Sequence, residues 1–86
     1  MNERRQVTAQ IVRQEQLVRV IKPMLARNPQ EVQGVALMEL LALFIAGHHP
    51  SLREVALNTH IETVRKMVPI CEAELFPHGK PEGWEK

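Results

Sequence analysis

Gln30 to Gly47 reads QEVQGVALMELLALFIAG, and the fold turns on this stretch. Between Val35 and Ala46 only Glu39 carries a charge. At 3.6 residues per turn, Leu37, Met38, Leu40, Leu41, Phe44 and Ile45 cover one broad side of a helix. Val35, Glu39, Ala42 and Ala46 fall on the remaining side, a strip of mostly small residues. A surface helix keeps an apolar arc of a little over ~100° and gives the rest to water, whereas one that is apolar nearly all round is buried. In so short a chain, cover on every side takes two neighbouring helices and a second copy of the protein. Gly34, Val35, Ala42 and Ala46 mark the candidate dimer face, where small side chains let two backbones come close.

Working toward the N-terminus, Asn28 suits an N-cap, Pro29 the first helical position and Glu31 a carboxylate reaching back. Before that boundary, residues 3–27 read as a first helix. Val7, Ile11, Val18, Ile21 and Leu25 repeat at the spacing of one helical face. The basic residues of this segment lie mainly on the other side, and Pro23 predicts a bend or break. Toward the C-terminus, Gly47 suits the residue that ends a helix. Ser51-Leu-Arg-Glu54 reads as a capping box opening a third helix over 52–76, which Pro69 is expected to kink. From Pro77 to Lys86 no periodicity remains, and the segment reads as a tail. The pattern predicts an all-α fold: a small antiparallel three-helix domain over 1–76, with helices at about 3–27, 29–47 and 52–76, assembling as a helical dimer.

Composition narrows the classes of function. The chain has 86 residues and a formal net charge of +1, so no global field draws it to nucleic acid or to a membrane surface. A domain of this size buries a modest fraction of its surface, and association is one route to added stability. The single Cys71 rules out an internal disulfide and suits a reducing compartment, where it reads as a small apolar filler. The N-terminal MNERRQVTAQ has no apolar signal core, and the run from Leu40 to Ala46 is far shorter than a membrane span. A cytoplasmic protein with no membrane association is the expectation.

His60 is the residue with the most chemical interest, because it projects near the middle of the third helix's apolar arc. A buried imidazole needs a hydrogen-bond partner. Glu39 stands eight residues before Gly47 and His60 eight after Leu52, so each lies about 12 Å from the turn at ~1.5 Å per residue. Glu39 and His60 are therefore a candidate polar pair, within one chain or across a dimer; the alternative is a backbone or water partner for His60. No metal site is expected: His60 lacks a ligand at i±3 or i±4, and His48-His49 diverge in direction. Those two histidines suit the negative end of the second helix. A glycine-rich phosphate loop, a Gly-x-Ser-x-Gly turn and a paired-carboxylate motif are all missing from the sequence, so neither a catalytic residue nor a cofactor is expected.

Two features leave other classes open. Residues 1–28 hold six basic residues (Arg4, Arg5, Arg13, Arg19, Lys22 and Arg27) against Glu3 and Glu15. Arg4, Arg5, Arg13, Arg19 and Lys22 are the candidate contacts to phosphate or to an acidic partner, set against the plain reading of a solvated helix face. Trp84, the only tryptophan, is a candidate docking residue in the tail, set against local packing on its own chain. The leading expectation is a non-enzymatic interaction protein (adapter, regulator or assembly component) that forms a homodimer. The alternatives are a nucleic-acid-associated regulator using the basic face, and a small-molecule or metal binder around His60 and Glu39.

Overall fold

The element order is α1 (Glu3–Ala26), α2 (Gln30–Ala46), a 3-10 turn (Pro50–Leu52) and α3 (Arg53–Leu75). A computed structural model describes residues 3–84, and among them all regular structure is helical. The three long helices match the sequence expectation to within a residue or so at their ends. α1 runs through Pro23 without a break, because the missing N–H removes one intrahelical bond of many in a helix of 24 residues. α3 likewise continues through Pro69.

The chain divides into two compact units, Met1–Leu41 and Ala42–Lys86. In the first, α1 and the start of α2 are joined by a link with its own bonding scheme. Asn28 does not cap α2 with its side chain as expected. Its Nδ2 turns back and donates to the Met24 carbonyl at 2.9 Å, closing the end of α1. The Gln33 side chain donates to the Asn28 carbonyl at 2.7 Å, and the Gln33 amide to the Pro29 carbonyl at 3.0 Å. Orphan carbonyls at the end of α1 compete for the same amide group, and here they win it. The apolar row of α1 is also its less exposed side: Ile21 in the row is 39% exposed, Val20 outside it 61%.

In the second unit the turn between α2 and α3 differs from expectation at both ends. Positive φ occurs among the described residues at Gly79 and Gly83, not at Gly47, so Gly47 does not form a left-handed cap. Side chains close α2 instead. The Arg53 guanidinium donates through Nη2 to the Ala46 carbonyl at 2.8 Å and through Nε to the His48 carbonyl at 3.1 Å. A cation at these carbonyls also meets the negative end of the helix dipole. The capping box at Ser51 does not form either. Ser51 lies in the 3-10 turn, and its backbone N–H donates to His49 Nδ1 at 3.1 Å. α3 then starts after Leu52 with no side-chain cap.

None of the described residues is buried. Leu41, Ile45, Leu57 and His60 reach half-burial, while most large apolar side chains of all three helices face solvent. Cys71 is exposed too, so it is not the core filler its apolar neighbours suggested.

Candidate interaction surface

α2 is the surface with the most unusual chemistry. Its four polar side chains fall in two pairs on opposite sides, Gln30 with Gln33 and Glu31 with Glu39, and from Val35 to Ala46 Glu39 alone interrupts the apolar surface. Val35 is 59% exposed, Met38 65% and Leu40 56%, and these three residues are spread round the helix. A shallow, open apolar patch lined by Glu31, Val32, Val35 and Ala36 lies on the side that carries Val35. Val35, Ala42 and Ala46 are exposed and share that side. Gly34 is half-buried and about 100° round the helix from Val35, and a Cβ built on it meets no atom within 4 Å. Glu39 is exposed on α2.

The end of α2 has the opposite character. Phe44 stands between two imidazoles, its ring centroid 4.8 Å from that of His48 and 4.9 Å from that of His60. Both histidines are half-buried, and each uses Nδ1 on the backbone carbonyl four residues earlier. His48 donates to Phe44 and His60 to Ala56, both at 2.9 Å. A carbonyl oxygen only accepts, so each Nδ1 carries the proton. The imidazole of His60 thus has the partner that its position demanded, and it is a backbone one. His49 is exposed, with Ser51 beside its Nδ1. Sequence reasoning missed Phe44 as the centre of this cluster and Arg53 as the closing group. The Phe44–His48 spacing of i, i+4 was a visible signal; the approach of His60 was not.

The tail after α3 is locally ordered. Trp84 packs edge-on against Phe76, with centroids 5.4 Å apart and planes at 82°. The chain doubles back through Gly79 and Gly83, whose φ values of +107° and +93° suit glycine. The Gly79 amide bonds the Phe76 carbonyl at 3.1 Å and the Trp84 amide the Pro81 carbonyl at 3.2 Å. Trp84 remains 54% exposed.

Arg4, Arg5, Arg13, Arg19 and Lys22 are all exposed on α1. Among the described residues no three His, Cys, Asp or Glu side chains gather as metal ligands, and no helix is long and apolar enough to cross a membrane. The chain matches no protein-family model, no curated protein and no solved structure.

Proposed function

We propose that this chain is a non-enzymatic helical interaction protein, an adapter, regulator or assembly component, that pairs with a second copy through α2. The observation that carries the reading is a 17-residue helix, apolar on nearly every side, with no buried residue. Such a helix is stable in water only when covered. Val35, Ala42 and Ala46 supply the side where two helices approach, flanked by Leu43. Glu39, with Glu31 at the start of the helix, is the charge that the interface must accommodate on that side, and a polar group such as His60 is a suitable partner for Glu39. The lone cysteine suits a cytoplasmic location.

Native mass spectrometry of the untagged chain, run at two concentrations, tests the pairing. A dimer with no added mass is the expected result; a monomer at both concentrations overturns it. A gel-shift series across salt addresses the basic face of α1. No shift is expected, whereas a complex that weakens steeply with salt reassigns Arg4, Arg5, Arg13, Arg19 and Lys22 to phosphate binding.

A further inference from the structure

We infer that the α2–α3 turn is a proton-sensitive joint, closed by His49 while its imidazole is neutral and released at one backbone amide when the ring takes up a proton. Every group involved lies within the turn, so the joint works the same way in a single chain and in a pair. Hydrogen-bond direction fixes the tautomers. The Ser51 backbone N–H can only donate, and it points to His49 Nδ1 at 3.1 Å. Nδ1 therefore carries a lone pair, and in the neutral ring the proton sits on Nε2. His48 and His60 are the opposite tautomer, each with its Nδ1–H on a backbone carbonyl at 2.9 Å. One corner thus holds three histidines in two polarities.

Polarity decides what a proton does. An imidazolium donates from both nitrogens and accepts at neither. His48 and His60 keep their bonds when charged, and a positive His48 suits the negative end of α2. His49 cannot keep the Ser51 amide. Its new Nδ1–H meets the Ser51 hydroxyl instead, already 2.9 Å away, whose oxygen has lone pairs to accept it. The ring therefore has a partner in both states, whereas the amide has one in the neutral state alone. Imidazoles change charge between about pH 5 and 8, so the exchange falls in the physiological range.

The surroundings leave His49 able to act this way. Its ring is exposed, and among the described residues its polar contacts are with Ser51. The other titratable and charged groups at the turn are His48 from the end of α2 and Arg53, Glu54 and His60 from α3. Arg53 is committed to the Ala46 and His48 carbonyls, and His48 and His60 to carbonyls of their own helices. Glu54 is exposed on the first turn of α3. The remaining backbone bonds of the turn bypass the ring: the Leu52 amide donates to the His49 carbonyl at 2.8 Å, and the Arg53 amide to the Pro50 carbonyl. These persist at every pH. Acid accordingly loosens the entry to α3 at one residue and leaves both helices in place.

The test is NMR of the full isotope-labelled chain from about pH 5 to about pH 8. It reads the imidazole nitrogens and the protection of the Ser51 amide, measured against the exchange of an unstructured chain at the same pH. At the upper end His49 is expected as the Nε2–H tautomer, with His48 and His60 as the Nδ1–H form. As His49 takes up its proton, protection of Ser51 is expected to drop about fivefold, the worth of a typical cap, while Leu52 keeps its own. H49N supplies a side chain that accepts at every pH and is expected to hold Ser51 protection constant; H49A is expected to remove it throughout. His49 in the Nδ1–H form at the upper end overturns the inference. So does a Ser51 amide whose protection stays level while His49 charges, is lacking at every pH, or falls equally in H49N. A drop shared by Leu52 marks general unfolding in acid and overturns the local joint as well.

Discussion

Leu43 and Phe44 are neighbours in sequence and belong to two different kinds of structure. The Phe44 ring rests between the rings of His48 and His60, next to a turn whose carbonyls are taken by Arg53 and His48. Leu43, one residue earlier, is 64% exposed on a helix with no polar side. Polar side chains close to one another in sequence can satisfy a turn with little chain entropy to overcome. Apolar area has no such local remedy, because burying it needs surface from elsewhere. The corner is closed by groups of one chain; the helix leading into it is where we propose that a second copy binds.

That contrast can be broken by substitution, and the largest effect is expected at Leu43. In the proposed dimer, L43E is expected to act on association and to leave the corner's hydrogen bonds in place, with amide exchange at His48 and Leu52 unchanged in the dissociated chain. If L43E also frees those amides, the corner depends on the partner and the contrast fails. F44A has the reverse signature. It removes two aromatic contacts and part of a hydrophobic anchor, for about 2 kcal/mol. The loss is read as faster exchange around His48 at any concentration.

Arg53 gives a smaller and more local effect. R53A deletes two charge-assisted hydrogen bonds at an exposed site, worth about 1 kcal/mol together after screening by water. The expected readout is a lower melting midpoint without a change in dimer affinity beyond that amount. Gly34 sharpens the comparison from the other side. Nothing in the chain meets a Cβ there, so G34A is expected to stabilise α2 by about 1 kcal/mol through helix propensity. A weaker dimer in sedimentation instead moves the line of closest helix approach from Val35, Ala42 and Ala46 round to Gly34. The smallest effect belongs to Trp84. W84A costs the Phe76 stacking contact, roughly 0.5–1 kcal/mol, and shows as loss of protection at Gly79 with dimer affinity unchanged.

The lengths and positions of the helices were legible in the sequence because they follow from periodicity and punctuation. The apolar row of α1 and the Pro29 boundary needed no tertiary information. The caps were misread at Asn28, Gly47 and Ser51 for a common reason. Each residue can serve either of two neighbouring helix ends, and the choice depends on where the chain goes next. Arg53 shows this most clearly: by sequence it is the third residue of a capping box, and in space it closes the preceding helix. His60 was legible as a residue in need of a partner, but the choice of a backbone carbonyl rests on a side-chain rotamer.

By itself the sequence determined that this protein is helical, where its helices lie, and that α2 has no side to give to water. These are properties of side-chain order along a 3.6-residue repeat, and they hold wherever the helix is placed. Only the tertiary structure decided which groups close the α2–α3 turn, that Phe44 gathers two histidines, that Trp84 folds back on Phe76, and that no described residue is buried. Those outcomes depend on distances between residues far apart in the repeat, and periodicity carries no information about distance across a turn.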